Sequence, residues 1–246
     1  AGISEDVDIE VKVDSTDLNI FDITEKVGRK RVLHSVYLEV LNRLDVKDLV
    51  VIDYKKLNCF TSEIRDGYNV NVLYHNDLHA TDLCQTLYSW INKAGIAEVF
   101  LLSKLDLLSL YTAAIVHDFK HPGLTNNFQI NSMTDIALTY NDCSVLENMH
   151  ISEAFKILMK PTCNFLENLS VAEFKEVRKR MIQCVIATDM SHHSKIISLV
   201  KAKSQILDIS KGKNVEKVIS PDSKSIWDDQ QEMLNLLIHL GDISHN

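Results

Sequence analysis

Glycine and proline are scarce in this chain, 7 and 3 of 246 residues. That shortage argues against a turn-rich β-sandwich or barrel, whose many tight turns call for both residues. The 5 cysteines are an odd number, and no two form a C-x-x-C pair. Cys59, Cys84, Cys143, Cys163 and Cys184 therefore suit reduced core thiols of a cytosolic protein better than a disulfide framework or a zinc knuckle. No apolar run is long enough to span a bilayer, and the N-terminus has no signal-peptide pattern. Basic excess is missing too: 26 Lys and Arg stand against 34 Asp and Glu, for a net charge of -8. That balance argues against a large basic stripe for a nucleic-acid polymer without excluding a local one, and it is compatible with a small anionic substrate held through metal ions. A Gly-rich phosphate loop, a G-x-S-x-G elbow and a cysteine placed as nucleophile are all absent, which leaves covalent routes without support.

What is present is helical periodicity. The length suffices for one large domain or two small ones with a substantial core, and Leu, Ile and Val recur at helical spacing along most of it. The expected fold is all-α, a compact multi-helix bundle. Residues 1–22 read as an acidic arm or linker and residues 23–246 as the folded domain. The chain starts at Ala1 rather than methionine, so it is expected to be a piece of something longer. Helices are expected from Ile23 to Leu44, within Asn69 to Ala94 with Gly95 as the stop, and from Leu101 to Phe119, the most apolar of all. Others follow across Ser152–Met159, Val171–Asp189, Ile196–Ile209 and Trp227–Ile243, while Val46–Tyr54 fits a strand or a helix equally well.

Chemistry concentrates where the most apolar helix ends. His117, Asp118 and His121 precede Pro122 and Gly123, and a buried unpaired carboxylate is costly enough to demand a partner. His75 and His79 repeat the four-residue spacing of His117 and His121, which on a helix puts both rings on one face. Asp242, among Leu236, Leu237, Ile238, Leu240 and Ile243, is a further carboxylate in apolar company. His79, His117, Asp118 and Asp242 can converge on one cation from three helices, leaving room for water. His75, one turn from a ligand, is then placed to exchange a proton rather than to bind metal. His34, His192 and His193 read as surface or helix-end histidines, and His239 as a satisfied core histidine.

Four motifs carry a resemblance. Y-H-N-x-x-H-A at Tyr74–Ala80, H-D-x-x-H-P-G-x-x-N at His117–Asn126, Y-N-D-x-S-V-L-E-N-x-H at Tyr140–His150 and A-T-D-M-S at Ala187–Ser191 occur in the order found in the class I cyclic-nucleotide phosphodiesterases. The chain resembles their catalytic domain from about residue 68 onward, and a lone H-D pair, shared with the wider HD hydrolases, would be far less specific.

The resemblance implies hydrolysis of 3′,5′-cyclic AMP or GMP to the 5′-monophosphate. It implies that His79, His117, Asp118 and Asp242 hold Zn2+, and that Asp118 bridges to a second ion, Mg2+ or Mn2+. A water shared by the two cations would attack phosphorus, and His75 would be the general acid for the departing 3′ oxygen. His121, Glu147, His150, Thr188 and Asp189 match positions that orient metal waters or ligands. Tyr74, His75, Asp118, Met190 and Asp242 would contact substrate, and Asn126 would support the loop after the central helix. The chain departs from the family at Gly241-Asp242-Ile243-Ser244-His245-Asn246, where many members have A-D-x-S-N-P. The helices carrying the family's purine-binding glutamine and phenylalanine are expected beyond Asn246. The alternatives are another HD-type phosphohydrolase or a non-catalytic nucleotide- or partner-binding domain. The expected location is the cytosol or the cytoplasmic side of a membrane.

Overall fold

The computed structural model of the chain describes Val13, residues 18–207 and residues 230–244, with side chains of 203–207 excepted. Most of the expected arm, the loop over 210–224, Trp227, His245 and Asn246 lie outside the described residues. Among the described residues every regular element is helical: α1 (Ile20–Val27), α2 (Val32–Leu44), α3 (Tyr54–Gly67), α4 (Asp77–Lys93), α5 (Ile96–Val99), α6 (Lys104–Val116), α7 (Asn126–Asn131), α8 (Asp135–Thr139), α9 (Val145–Leu158), α10 (Val171–Ala187), α11 (His193–Leu207) and α12 (Gln230–Ile243). The ambiguous stretch after α2 is a 3₁₀ turn, Val46–Asp48, followed by irregular backbone. The first helix starts at Ile20 rather than Ile23, and both of these isoleucines are buried.

The helices begin where side chains satisfy the orphan amides of the first turn. Asn19, Asp53, Asn76, Thr125 and Thr134 each accept such a bond, and α6 and α10 open with full capping boxes, Ser103/Asp106 and Ser170/Glu173. Caps of this kind are worth about 1 kcal/mol apiece, so they place boundaries while burial supplies most of the stability. The glycine stop after α4 is as expected, Gly95 lying in the left-handed region at φ 59°.

The axis of the bundle is α6, buried from Asp106 to Val116. It packs against α2, α4, α9, α10 and α12, which explains an apolar pattern with no polar stripe. Its one buried acid is accounted for: Asp106 Oδ2 caps Ser103 N at 2.8 Å while Oδ1 meets Arg180 Nε of α10 at 2.6 Å. Farther along, Tyr37 Oη of α2 and Thr112 Oγ1 share a buried hydrogen bond of 2.7 Å. Two close approaches involve glycine. A Cβ on Gly67 would stand 2.2 Å from the Phe119 ring, and one on Gly241 would stand 2.7 Å from Leu83 Cδ1 of α4. The second contact lets α12 lie close on α4, which brings Asp242 to His79.

Candidate active site

The expected residues gather at one end of the bundle, although not all by the helical geometry expected for them. Asn76 is the N-cap of α4, so His79 sits in its first turn, whereas His75 precedes the helix. At the other pair, His117 is the C-cap of α6, and Asp118 and His121 follow it in a turn. The four-residue spacing thus straddles a helix end in both cases, and what unites each pair is the fold rather than one helical face. Asp242 comes from the last turn of α12.

Four acceptor atoms point at one place. His79 Nε2 lies 2.8 Å from Asp242 Oδ1 and 3.8 Å from Asp118 Oδ2. His117 Nε2 lies 3.2 Å from Asp118 Oδ2, 3.3 Å from Asp242 Oδ1 and 3.2 Å from His79 Nε2. Ligands held about 2.0–2.1 Å from a tetrahedral zinc ion are about 3.3 Å apart; the three separations from His117 Nε2 match that value, and those from His79 Nε2 to the two carboxylates lie on either side of it. His117 Nδ1 donates to Ala114 O at 2.8 Å. In the neutral tautomer its Nε2 lone pair therefore faces two carboxylate oxygens at 3.2 and 3.3 Å, an arrangement that a positive charge among them relieves. Asp118 Oδ2, buried, receives no hydrogen bond.

The electrostatics make the same demand. Burial works to lower the His117 pKa, but Asp118 and Asp242 outweigh it and hold the imidazole well above its usual value. Burial also works to raise both carboxylates, and His117 with its neighbours pulls them well below the ordinary range instead. Without a metal, an imidazolium at His117 supplies the missing charge. His79, by contrast, is lowered by its burial.

A second group shares Asp118. Ligand atoms of Asp118, His121 and His150 lie within 4.8 Å of one another, all three residues buried, and His150 Nε2 is 3.8 Å from Asp118 Oδ1. His150 Nδ1 donates to Phe119 O at 2.6 Å, and His121 Nδ1 accepts from Gly123 N at 2.9 Å. Burial pushes both imidazoles down to about 4, so they are neutral and available as ligands or acceptors. The role of His150, ambiguous as a lone core histidine, is clearer once its second nitrogen is seen to face Asp118.

Around this centre the remaining expected residues fall at different distances. Half-buried His75 stacks on His121, centroids 4.3 Å apart at 15°, and meets the Tyr74 ring edge-on at 5.0 Å. Glu147 accepts from Asn126 Nδ2 at 2.9 and 3.1 Å, and burial pushes its carboxyl up to about 7. Asp189 is buried, which favours its neutral form, yet bonds from Ser191 N at 2.8 Å and Ser144 Oγ at 2.7 Å bring its pKa below the usual value. Thr188 is the C-cap of α10, its hydroxyl bonded back to Val185 O; Tyr74 and Met190 are both exposed, Tyr74 with its ring against His75 and His79. Ser144 was given no role from the sequence, although it lies inside the Tyr140–His150 motif. His239 is the satisfied core histidine expected: Nδ1 bonds Ala187 O at 2.8 Å and Nε2 meets His193 Nδ1 at 2.9 Å.

Comparison with known proteins agrees with this geometry. Residues 74–246 match the family model described as 3'5'-cyclic nucleotide phosphodiesterase. A 3',5'-cyclic-nucleotide phosphodiesterase of Dictyostelium discoideum, regA, is 33% identical over 213 residues, covering 87% of this chain and 25% of the relative. The human dual specificity calcium/calmodulin-dependent 3',5'-cyclic nucleotide phosphodiesterase 1B is 34% identical over 232 residues, covering 93% of this chain and 40% of its own. The chain thus spans less than half the length of either relative. The crystal structure of the phosphodiesterase domain of the RhoPDE fusion protein from the choanoflagellate Salpingoeca rosetta superposes with a TM-score of 0.74 at 31% identity, over 95% of this chain and 68% of that one. With the family model spanning every motif from Tyr74 onward and a solved phosphodiesterase domain sharing the helical architecture, the chain belongs to the 3'5'-cyclic nucleotide phosphodiesterase family.

Proposed function

We propose that the chain supplies the metal-binding part of an enzyme that hydrolyses 3′,5′-cyclic AMP, cyclic GMP or both to nucleoside 5′-monophosphates. The observation that carries this reading is the convergence of His79, His117, Asp118 and Asp242 at coordination-shell separations, with His75 held beside them rather than among them. Those four residues would hold Zn2+. Asp118, through the oxygen that faces His121 and His150, would share a second ion, Mg2+ or Mn2+. When bound, the two cations neutralise phosphoryl oxygens and activate water.

The chain's own side chains do the rest. Opening the ring breaks the bond between phosphorus and the 3′ oxygen, and that oxygen leaves as an alkoxide unless it receives a proton. His75 is the donor in this reading. Its ring plane is set by the stack on His121 and the edge contact with Tyr74. Because burial keeps His121 neutral, the stack does not repel a protonated His75. Glu147, oriented by Asn126, and Asp189, oriented by Ser144 and Ser191, accept hydrogen bonds from waters of the centre. Tyr74 and Met190 border the substrate.

The test is an assay of the parent protein with each cyclic nucleotide, its product identified by phosphorus NMR. A 5′-monophosphate supports the reading. A 3′-monophosphate, or turnover only of unrelated phosphoesters, would assign the chain to another kind of HD hydrolase.

A further inference from the structure

Away from this centre, a second set of metal-binding atoms lies on the seam between α3 and the turn after α9. Cys59 and Glu63 are four residues apart on α3, hence on one face. Cys163 reaches them from the turn that follows Leu158. The two sulfurs and a Glu63 carboxylate oxygen all lie within 4.8 Å of one another. Cys163 Sγ is 3.7 Å from Glu63 Oε1, while the other carboxylate oxygen is paired with Lys160 Nζ. We propose that Cys59, Cys163 and Glu63 form a binding site for a borderline-to-soft divalent cation, zinc or cadmium, separate from the His/Asp centre.

Three physical points support it. Thiolate ligands stand about 2.3 Å from such a cation, so two of them in a tetrahedron are about 3.8 Å apart. The two sulfurs lie within 4.8 Å of each other and Cys163 Sγ is 3.7 Å from Glu63 Oε1, so binding calls for a closure of about 1 Å at most between the sulfurs. Charge balances as well: two thiolates and a carboxylate are matched by a divalent cation together with the Lys160 ammonium. Finally, the backbone that bears the ligands is pinned independently. Lys56 pairs with Glu167, Asn168 Nδ2 donates to Val51 O at 2.7 Å, and the rings of Phe60 and Phe165 pack 5.2 Å apart. The ligands are therefore held near each other whether or not an ion is present.

Burial and Cys59 push the Cys163 thiol up to about 12, so an ion must displace protons to bind, and affinity rises with pH. Three protein ligands leave one position open to water, as befits reversible occupancy rather than a closed structural site.

The experiment titrates Cd2+ into the reduced parent protein with its His/Asp centre already loaded, following thiolate-to-metal charge-transfer absorption in the ultraviolet. The His/Asp centre contains no sulfur and gives no such band. One equivalent should saturate the signal. Cys59→Ser and Cys163→Ser should each abolish it, and Glu63→Gln should weaken binding by about tenfold or more. Cys143→Ser should leave it unchanged. Because buried Cys163 is the riskier substitution, half-exposed Cys59 provides the deciding variant, with its melting curve measured alongside. No band in the wild type, or a band that survives Cys59→Ser in a folded protein, overturns the proposal.

Discussion

The sharpest test of the mechanism compares His75→Ala with Asp118→Ala in the parent protein. His75 touches Tyr74, His79 and His121 through its ring but lies outside both ligand clusters. Removing it should leave metal content at the wild-type level. Loss of a positioned general acid costs about 10²–10⁴-fold in rate, or about 3–5 kcal/mol of transition-state stabilisation. Asp118 is different, because its two oxygens face two sets of ligands, Oδ2 towards His117 and Oδ1 towards His150. Losing even an outer partner of a metal ligand costs about 10–100-fold in affinity, so losing a shared ligand should cost more than about 100-fold for each ion. The two variants separate under paired measurements, metal content by mass spectrometry and steady-state hydrolysis across pH. His75→Ala should keep metal and slow kcat with little change in KM. Asp118→Ala should lose metal and activity together. If His75→Ala strips the metal, the acid assignment is wrong; if Asp118→Ala keeps both ions, the convergence argument is.

Gly67→Ala should destabilise the fold by about 1–3 kcal/mol, visible in the melting temperature, because the new methyl meets the buried Phe119 ring at 2.2 Å. The same change should weaken metal binding, since Phe119 adjoins Asp118. Asn126→Ala removes both bonds to Glu147 and the bond its Oδ1 accepts from Leu146 N; slower turnover with a loss of about 1–3 kcal/mol in stability is expected. In chelator, the metal-free chain should lose stability as pH falls. His150 binds its proton near 6.5 when unfolded and only near 4 when folded, so the unfolded state takes up protons first and up to about 3 kcal/mol is lost between those values. His150→Gln should flatten that stretch of the curve in urea titrations at stepped pH, and an unchanged slope would refute the assignment.

Much of this was legible because the motif residues lie close together in the chain even where the ligands do not. The H-D pair at the end of an apolar helix, and Asp242 among leucines, signalled buried charge in need of a partner, and the fold brings both carboxylates within 3.3 Å of His117 Nε2. Helix existence was also readable, since α6 is apolar on every side, whereas the capping boxes at Ser103 and Ser170 that fix two helix starts are seen in the structure. Other features were not. Periodicity cannot tell that α4 waits for Asn76 to begin, and so it placed His75 on a helix that starts after it. Short helices such as α7 and α8, set by Thr125 and Thr134 caps, carry too few residues for a period to register. The bond from Ser144 to Asp189, and the Phe119 carbonyl that orients His150, join segments brought together only by tertiary packing.

In the proposed mechanism, the stack of His75 on His121 also bears on how the acid would recover between turnovers. Imidazoles exchange protons along the plane of the ring, and face-to-face rings present no in-plane partner to each other. The inner histidines are committed besides, His121 Nδ1 to the Gly123 amide and His150 Nδ1 to the Phe119 carbonyl. A His75 acting as the acid proposed above would therefore find no in-plane proton partner in His121 and would be recharged by water. Resetting the acid would then be a matter of water access, which the partial exposure of His75 and of neighbouring Tyr74 allows, rather than of relay through His121.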